Sequence, residues 1–348
     1  MPRIALAAAL LCLGLASPAA TAAAAPTAPA APAWQLLGFA QLTAEHSENG
    51  DGIDFGADRI RAGARYRQGA FGGGLVLDFN VPNAGQRTPG TFTNIIKDAY
   101  LDWYFAEHFR LRGGQFKTPI GMDFNTPGDQ LDISKRALEK PLVLERDAGL
   151  MLSASELAGG IGFDLGVFNP AGRSGATAHS ADQEGESNAW AARLRWDRGN
   201  FHAEASVGES AEAGGVGSQD YQVSDIAARH SIGRLSIKAE YIAGRDVLGV
   251  ADHDQDVAYL HLGWQQAPQW QWVARHYQGQ SEMAGAQTDL GNTYLGFNYW
   301  PDAGRQAKLR LQANWVIASG DQATYSGLGG YRDDALLIQA QLSFRHLR

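Results

Sequence analysis

Polar and apolar residues alternate strictly between residues 59 and 67, where the sequence reads RIRAGARYR. A period of two predicts a β-strand whose side chains point alternately to opposite faces. The cationic face consists of Arg59, Arg61, Arg65 and Arg67, and the apolar face of Ile60, Ala62, Ala64 and Tyr66. This pattern favours a membrane barrel with a watery lumen, because an arginine in hydrocarbon costs about 2–4 kcal/mol near the midplane. Taken alone, the strand is also compatible with the edge of a soluble sheet.

Similar two-faced segments recur at intervals of roughly 15 to 25 residues from Trp34 to the C-terminus. The clearest are residues 71–79, 98–105, 161–167, 190–196, 201–207, 235–241, 258–264, 309–315 and 336–344. We therefore predict an all-β fold, a transmembrane antiparallel up-and-down β-barrel of about 16 strands, which is wide enough to hold an aqueous channel. A soluble solenoid would need a shared motif at a fixed period, and the sequence contains none.

The connections alternate in length, as in outer-membrane barrels with short periplasmic turns and long external loops. Residues 197–200 predict a tight turn, whereas residues 172–187 and 208–220 predict external loops. The segment from Thr118 to Arg146 lacks clean alternation, and unstructured loops of that length are usually functional. We expect it to fold into the lumen as a long third loop, the alternative being a loop that caps the outside.

Charged residues on the predicted inner faces are mainly cationic. The cations are Arg59, Arg61, Arg65, Arg67, Arg110, Arg112, Arg193, Arg195, Lys238, Arg275, Lys308 and Arg310. The acids are Asp78, Asp98, Asp102, Asp164, Glu204 and Glu240. A cationic lumen with low-dielectric walls concentrates anions. The alternative is that these arginines pair with the inward carboxylates and only brace the wall.

Composition supports a barrel with a wet inner face. The chain is 45% hydrophobic, with nine Trp, eleven Tyr and 42 Gly, yet its mean hydropathy is −0.26. Aromatic residues form girdles at the membrane interfaces of such barrels, while the inner face stays polar. The net charge of −8 argues against nucleic acid as a partner.

The N-terminus predicts export. Residues 1–25 have the order of a secretory signal peptide: Arg3, an apolar core from Ile4 to Leu15, and small residues near Ala22. A membrane anchor is disfavoured by the short core and by Pro18. Residues 26–33 form an Ala/Pro spacer, so the barrel should occupy residues 34–348 of a protein in the cell outer membrane, surrounded by outer-membrane lipid. The one cysteine, Cys12, lies in the leader.

Catalytic motifs are absent from the sequence: there is no HExxH, GxSxG or P-loop. We expect no enzymatic step, no cofactor and no metal. Residues 252–256, DHDQD, contain the ligand types of a divalent cation site, but a solvated loop is the favoured interpretation. A barrel enzyme remains the alternative from another functional class, and a non-conducting structural barrel or adhesin is a third.

Three stretches, IKDAYLDWYF, LRGGQFKTPIGMDF and LEKPLVLERDAGLML, resemble the phosphate-selective porin O and P family of Gram-negative outer membranes. The resemblance is specific from about Ala57 to Val167. It implies a sixteen-stranded homotrimeric anion channel whose third loop enters the pore. Phosphate-binding members use lysines on that loop and arginines on the wall. The matching positions here are Lys117, Lys135, Arg136 and Lys140, with Arg59 and Arg61.

The sequence therefore predicts an outer-membrane diffusion porin that passes small hydrophilic solutes and prefers anions. Small anionic solutes are the expected partners, with phosphate or polyphosphate as the candidates that the family suggests. A non-selective porin, or one for another solute, is the alternative within the same class.

Overall fold

The computed structural model describes residues 33–81, 94–170, 188–211, 218–302, 309–321 and 329–347. The predicted signal peptide and nearly all of the spacer lie outside these residues, as do Lys308 and the predicted external loop at 172–187.

Sixteen antiparallel strands form one closed barrel, each pairing with the next in sequence and the last with the first. This confirms the predicted fold class. The strands are β1 (Ala33–Ser47), β2 (Asp54–Gln68), β3 (Phe71–Asp78), β4 (Ile96–Ala106), β5 (Phe109–Lys117), β6 (Arg146–Leu157), β7 (Ile161–Phe168), β8 (Ala189–Arg198), β9 (Phe201–Ser210), β10 (Tyr221–Ile232), β11 (Leu235–Arg245), β12 (His253–Ala267), β13 (Trp270–Met283), β14 (Ala286–Tyr299), β15 (Leu309–Gly320) and β16 (Ala335–Leu347).

Two loop predictions were wrong in detail. Strand β12 begins at His253, so residues 253–256 belong to a strand rather than to a solvated loop. Strand β9 runs to Ser210, so the connection to β10 begins only at Ala211. In both places the strand extends beyond its clearly apolar residues, at the start of β12 and at the end of β9. A sequence pattern loses its signal where those apolar residues stop.

Among the described residues, helical structure is short and confined to the connections. The only α-helix among the described residues is α1 (Met122–Asn125), and single 3₁₀ turns occupy Gly128–Gln130, Lys140–Leu142, Ala158–Gly160 and Val247–Gly249. Within the described part of the chain, no helix has the length and apolar character needed to cross a membrane. The longest fully described connection, residues 118–145 between β5 and β6, is called L3 below.

The outward faces of the strands are apolar, as the alternation predicts. Exposed side chains on them include Leu36, Ile60, Leu75, Leu101, Leu165, Leu260, Trp315 and Leu342. Aromatic rings gather on this face near the short turns and form several separate groups of contacting rings. They include Trp34, Tyr66, Trp103, Phe105, Phe109, Phe163, Trp196, Phe201, Trp270 and Phe297. This is the arrangement of an interfacial aromatic girdle.

A β-bulge changes the inner face of β4. Strict alternation assigns Lys97 to the outward face, opposite Asp98. The pairing with β3 shifts between Val76 and Leu77, and one extra residue enters β4 at this point. Both Lys97 and Asp98 consequently reach polar partners inside, namely Asp78 at 3.1 Å and Arg146 at 2.7 Å.

The inner face is not uniformly wet, contrary to the sequence-based expectation. Strands β10 to β16 carry a band of buried apolar residues on it: Val223, Ile242, Val257, Val273, Leu290, Val316 and Leu337. The same core cluster contains L3 residues Ile120, Phe124, Ile133, Leu138 and Leu142. The main apolar core of the protein therefore lies inside the barrel, between L3 and the wall.

Glycine and an aromatic ring meet where β1 closes against β16. Gly38 pairs with Phe344 on the outward face, and the Phe344 ring occupies the space that a Cβ at residue 38 would need. An aromatic side chain that covers a glycine on a neighbouring strand stabilises the pairing of the two strands.

We predict that Gly38→Val displaces the Phe344 ring and destabilises this seam by about 1–3 kcal/mol, the usual cost of overpacking. The temperature at which the SDS-resistant form of the purified barrel converts to the unfolded form should fall. Phe344→Ala should lower it as well, because the glycine backbone loses its cover. Gly56→Val is the matched control, since a Cβ at residue 56 meets nothing within 4 Å. Equal temperatures for Gly38→Val and Gly56→Val would contradict the role of this contact.

Candidate functional site

L3 leaves the wall at Lys117, contacts the opposite side of the barrel and rejoins the wall at Arg146. Its helix α1 is bound to two strands on that side. The Asp123 carboxylate lies 3.1 Å from the Arg275 guanidinium on β13, and the Asp123 amide donates to Glu240 on β11 at 2.9 Å. Near its end, the Leu142 carbonyl accepts a hydrogen bond from the Tyr221 hydroxyl on β10. All three wall side chains are buried, on faces opposite to the exposed apolar rows.

Neutral amide side chains hold the middle of L3. They lie on the inner faces of β1, β14, β15 and β16, and their partners are L3 residues 128 to 134. Gln41 donates to the Gly128 carbonyl (3.1 Å), Gln341 to Asp129 (3.1 Å), Asn298 to Asp132 (3.0 Å), and Asn314 accepts from the Ser134 amide (2.9 Å). These groups do not titrate, so this attachment is independent of pH.

Sequence reasoning missed these amides because it followed charge along the inner faces. Their signal is present in the alternation, since Gln312, Asn314, Gln339 and Gln341 occupy the polar positions of the last two strands. Amides at such positions indicate a wall that binds peptide backbone, because each amide carries both donor and acceptor groups.

Three cations surround the ring of Phe124 in α1. The Lys117 ammonium is 4.9 Å from the ring centre, and the Arg136 and Arg146 guanidinium carbons are 5.6 and 5.8 Å away. Lys117 and Arg136 also donate to the Phe124 and Thr126 carbonyls at the end of α1. Cations are favourable at this end of a helix, where the last carbonyls lack intrahelical partners. Two of the predicted anion-binding residues therefore also hold L3 in shape.

These three residues belong to a larger group, here called the basic cluster: Arg59, Arg61, Lys97, Lys117, Arg136 and Arg146. Its members lie within electrostatic range of one another. Three carboxylates form ion pairs with it: Asp78 with Arg61 and Lys97, Asp98 with Arg146, and Asp123 with Arg136. These three carboxylates form the ion pairs of a group of six cations, so the cluster keeps an excess of positive charge. Lys97 and Arg146 were not among the predicted site residues.

Six more predicted arginines lie on the same side of the barrel, nearer the short turns. Four are paired: Arg112 binds both carboxylate oxygens of Asp102 (2.7 and 2.9 Å), which Arg110 also approaches (3.7 Å), while Arg193 and Arg195 share Asp164 (2.8 and 3.2 Å). The other two, Arg65 and Arg67, are exposed and form no ion pair with any described residue. Arg67 instead lies over the Tyr104 ring at 4.0 Å.

The two predicted L3 lysines, Lys135 and Lys140, take no part in the ion pairs of the basic cluster. Lys135 reaches the wall and pairs with Glu45 (2.6 Å) and Asp58 (3.5 Å). The Lys140 side chain is 54% exposed and lies 3.7 Å from Glu145. Both lysines face carboxylates, so their positive charge is largely neutralised locally.

Buried acids accompany these cations where α1 meets the wall. Burial opposes ionisation of Asp123, but Arg275 and Arg136 outweigh it and lower the pKa of that carboxyl. Glu139, which is fully buried, behaves in the opposite way: burial and the neighbouring Asp123 charge raise its pKa from 4.5 to about 7. Arg275 and Arg136 face Glu139 as well and only partly offset this rise.

Within the described residues, no group of three or more His, Cys, Asp or Glu side chains has the geometry to hold a metal ion. The described site instead carries most of its guanidinium and ammonium groups on strands β2 to β8, while L3 packs mainly against β10 to β16. Such an arrangement attracts and orients anions.

Comparison with known proteins places these features in context. The family model for phosphate-selective porin O and P matches residues 37–245. Similar solved structures include an anion-selective porin from Comamonas acidovorans (11% identity, TM-score 0.63, covering 91% of this chain and 100% of that one). The outer-membrane channel DcaP of Acinetobacter baumannii (13%, 0.62, 90% and 97%) and the trimer form of OmpT from Vibrio cholerae (14%, 0.63, 90% and 100%) are also similar. No curated protein sequence matches.

We predict that the stability of the docked L3 depends on Glu139. Because its pKa is raised in the folded protein, the buried carboxyl favours folding when protonated, and this contribution declines as pH rises from about 4.5 to about 7. Glu139→Gln should therefore raise the heat-conversion temperature of the barrel at pH 8 and change it little at pH 5. Glu145→Gln, an exposed carboxyl of the same loop, is the control. An equal effect of Glu139→Gln at both pH values would contradict this assignment.

Proposed function

Because this chain belongs to the phosphate-selective porin O and P family, we propose that it is an outer-membrane diffusion porin that prefers anions and passes small hydrophilic solutes. The family and the barrel neighbours support the outer-membrane location. Transport of this kind has no chemical step, so rate and selectivity depend on channel width and wall charge.

The excess of cations on one side of the lumen is the observation that carries this proposal. Strands β2 to β8 contribute eleven of them: Arg59, Arg61, Arg65, Arg67, Lys97, Arg110, Arg112, Lys117, Arg146, Arg193 and Arg195. The carboxylates that pair with them on these strands are fewer: Asp78, Asp98, Asp102 and Asp164. The surplus attracts anions and repels small cations.

Strand β2 should contribute most to selectivity. Arg59, Arg65 and Arg67 form no ion pair with any described residue, and Arg59 donates to the neutral Gln41 at 2.8 Å. An arginine already paired with a carboxylate contributes little net field, whereas these three retain a full positive charge. Their positions along one strand would provide successive binding sites for an anion that moves through the lumen.

L3 is proposed as the constriction. Its contacts with inward-facing residues of β1, β10, β11 and β13 to β16 support a position within the lumen cross-section. The space left to solutes would then lie between L3 and the cationic side. At Gly128, however, L3 also approaches the cationic side, because a Cβ there would lie 3.0 Å from the Arg61 guanidinium.

Phosphate is the solute that the family description suggests, and the basic cluster suits an anion with several oxygens. Guanidinium groups bind such anions through paired hydrogen bonds. Arg59, Arg61, Lys117 and Arg136 are the proposed contacts. Lys135 and Lys140, proposed from the family resemblance, would contribute less, since each faces a carboxylate. A homotrimer is proposed by analogy with the trimeric neighbour.

We predict that replacing Arg59, Arg65 and Arg67 together by Gln moves the reversal potential under a salt gradient toward cation permeability. The shift should be larger at low salt, because the Debye length rises to about 30 Å at 0.01 M and the arginine charges are then less screened. Arg112→Gln combined with Asp102→Asn is the matched control, because it removes a paired arginine without changing the net charge. A reversal potential unchanged from that control would mean that the β2 arginines only brace the wall.

A second prediction concerns the size of the channel. Replacing residues 129–140 by a short Gly/Ser linker should raise single-channel conductance, because this part of L3 would no longer fill the lumen. The barrel should still form, since loop closure entropy changes slowly with length. Replacing the exposed residues 50–52 of the first loop is the control. Unaltered conductance after the L3 change would place L3 outside the path of the current.

A further inference from the structure

A short segment from the last long loop packs on top of L3. Gly329 and Gly330 have φ values of +77° and +73°, a conformation that residues with a Cβ rarely adopt. A Cβ at Gly329 would lie 2.8 Å from the Ala137 carbonyl oxygen and 3.1 Å from Pro141. A Cβ at Gly330 would lie 2.8 Å from the Leu138 side chain. The backbone of both glycines is thus pressed directly against L3 residues 137–141.

One buried amide fastens this segment to the inner wall. Asn292 on β14 donates to the Tyr331 carbonyl at 2.9 Å and accepts from the Tyr331 amide at 2.8 Å. It is fully buried, so both bonds are shielded from water. The Tyr331 ring also packs edge-on against Tyr294 of the same strand, with centroids 6.3 Å apart.

The other end of the segment is tied to the rim of the barrel. The Asp334 carboxylate accepts from the Ala318 amide on β15 at 2.8 Å, and the Asp334 carbonyl accepts from the Glu48 amide at 2.8 Å. Asn49 donates to Asp333 at 2.6 Å. Residues 329–334, here called the strap, are consequently anchored on both sides of the place where they cross L3.

L3 needs support at this point. Residues 128–134 are held by the wall amides, and α1 is held by Arg275 and Glu240. Among the described residues, by contrast, the hydrogen bonds and the ion pair of residues 137–141 all go to other residues of L3. The strap covers this stretch, and its Tyr331 packs against the same apolar cluster that contains Leu138 and Leu142.

We propose that the strap fixes residues 137–141 of L3 in place and thereby keeps the constriction at one size. Gly329, Gly330 and Asn292 act as positioning residues, since they set where L3 lies without contributing charge to the solute path. The functional consequence rests on the proposal above that L3 is the constriction. The mechanical role of the strap does not depend on it.

A nitroxide label at position 140 and single-channel recording test the two parts separately. Lys140→Cys provides the label site, and the one natural cysteine, Cys12, lies outside the barrel. Gly330→Val removes the room for close packing, and Asn292→Ala removes both bonds to Tyr331. Loss of two hydrogen bonds should raise the undocked fraction of residues 137–141 by roughly tenfold to thirtyfold. The label should become more mobile and the open-channel current noisier.

Gly285→Val is the matched control, because Gly285 also has a positive φ (+81°) but a Cβ there meets nothing within 4 Å. SDS resistance checks that each variant folds. Testing both Gly330→Val and Asn292→Ala guards against a folding defect in one of them. A more mobile label with a steady current would support the strap and overturn L3 as the constriction. A label as immobile as in the control, in both variants, would overturn the strap.

Discussion

Closure of the sheet is the constraint on which the rest of this protein depends. In hydrocarbon every backbone amide and carbonyl must find a partner within the protein, and a barrel achieves this only when its last strand pairs with its first. Strands β1 and β16 pair from Gln35 to Ser47, and Phe344 covers Gly38 at this seam. Closure separates two environments, so each strand must alternate between side chains for lipid and side chains for the interior.

The inner wall of the barrel has two chemically different sides. Strands β2 to β8 present arginines and lysines in excess of their carboxylates, whereas β10 to β16 combine apolar residues and neutral amides with a few buried charged groups, among them Arg275 and Glu240. L3 packs mainly on the second side, because that side buries apolar residues of L3 and supplies partners for its backbone groups. The position of L3 and the proposed path of anions thus follow from the same asymmetry.

Alternation alone predicted the fold class and the inward direction of Arg59 to Arg67, because a period of two depends only on local geometry. It did not place Lys97 on the inner face, since a bulge shifts the register by one residue and leaves no mark in the composition. It also missed the role of Gln312 and Asn314, whose partners in L3 lie more than 170 residues away. Long-range pairing of this kind is not visible to a local pattern. For the same reason, the sequence did not predict which arginines pair with carboxylates and which do not.

The basic cluster shows how one set of residues can serve both structure and solute. Lys117 and Arg136 close the end of α1 through its carbonyls, and Arg136 also pairs with the Asp123 carboxylate at 3.6 Å. A carbonyl neutralises a cation less completely than a carboxylate does, so Lys117, which forms no ion pair with any described residue, holds L3 while keeping more of its field than Arg136 does. Neutral groups elsewhere, such as Asn292 and the amide row, fix geometry without adding charge. In this barrel, the groups that set the shape of L3 and those that set the field of the lumen overlap most clearly around Phe124.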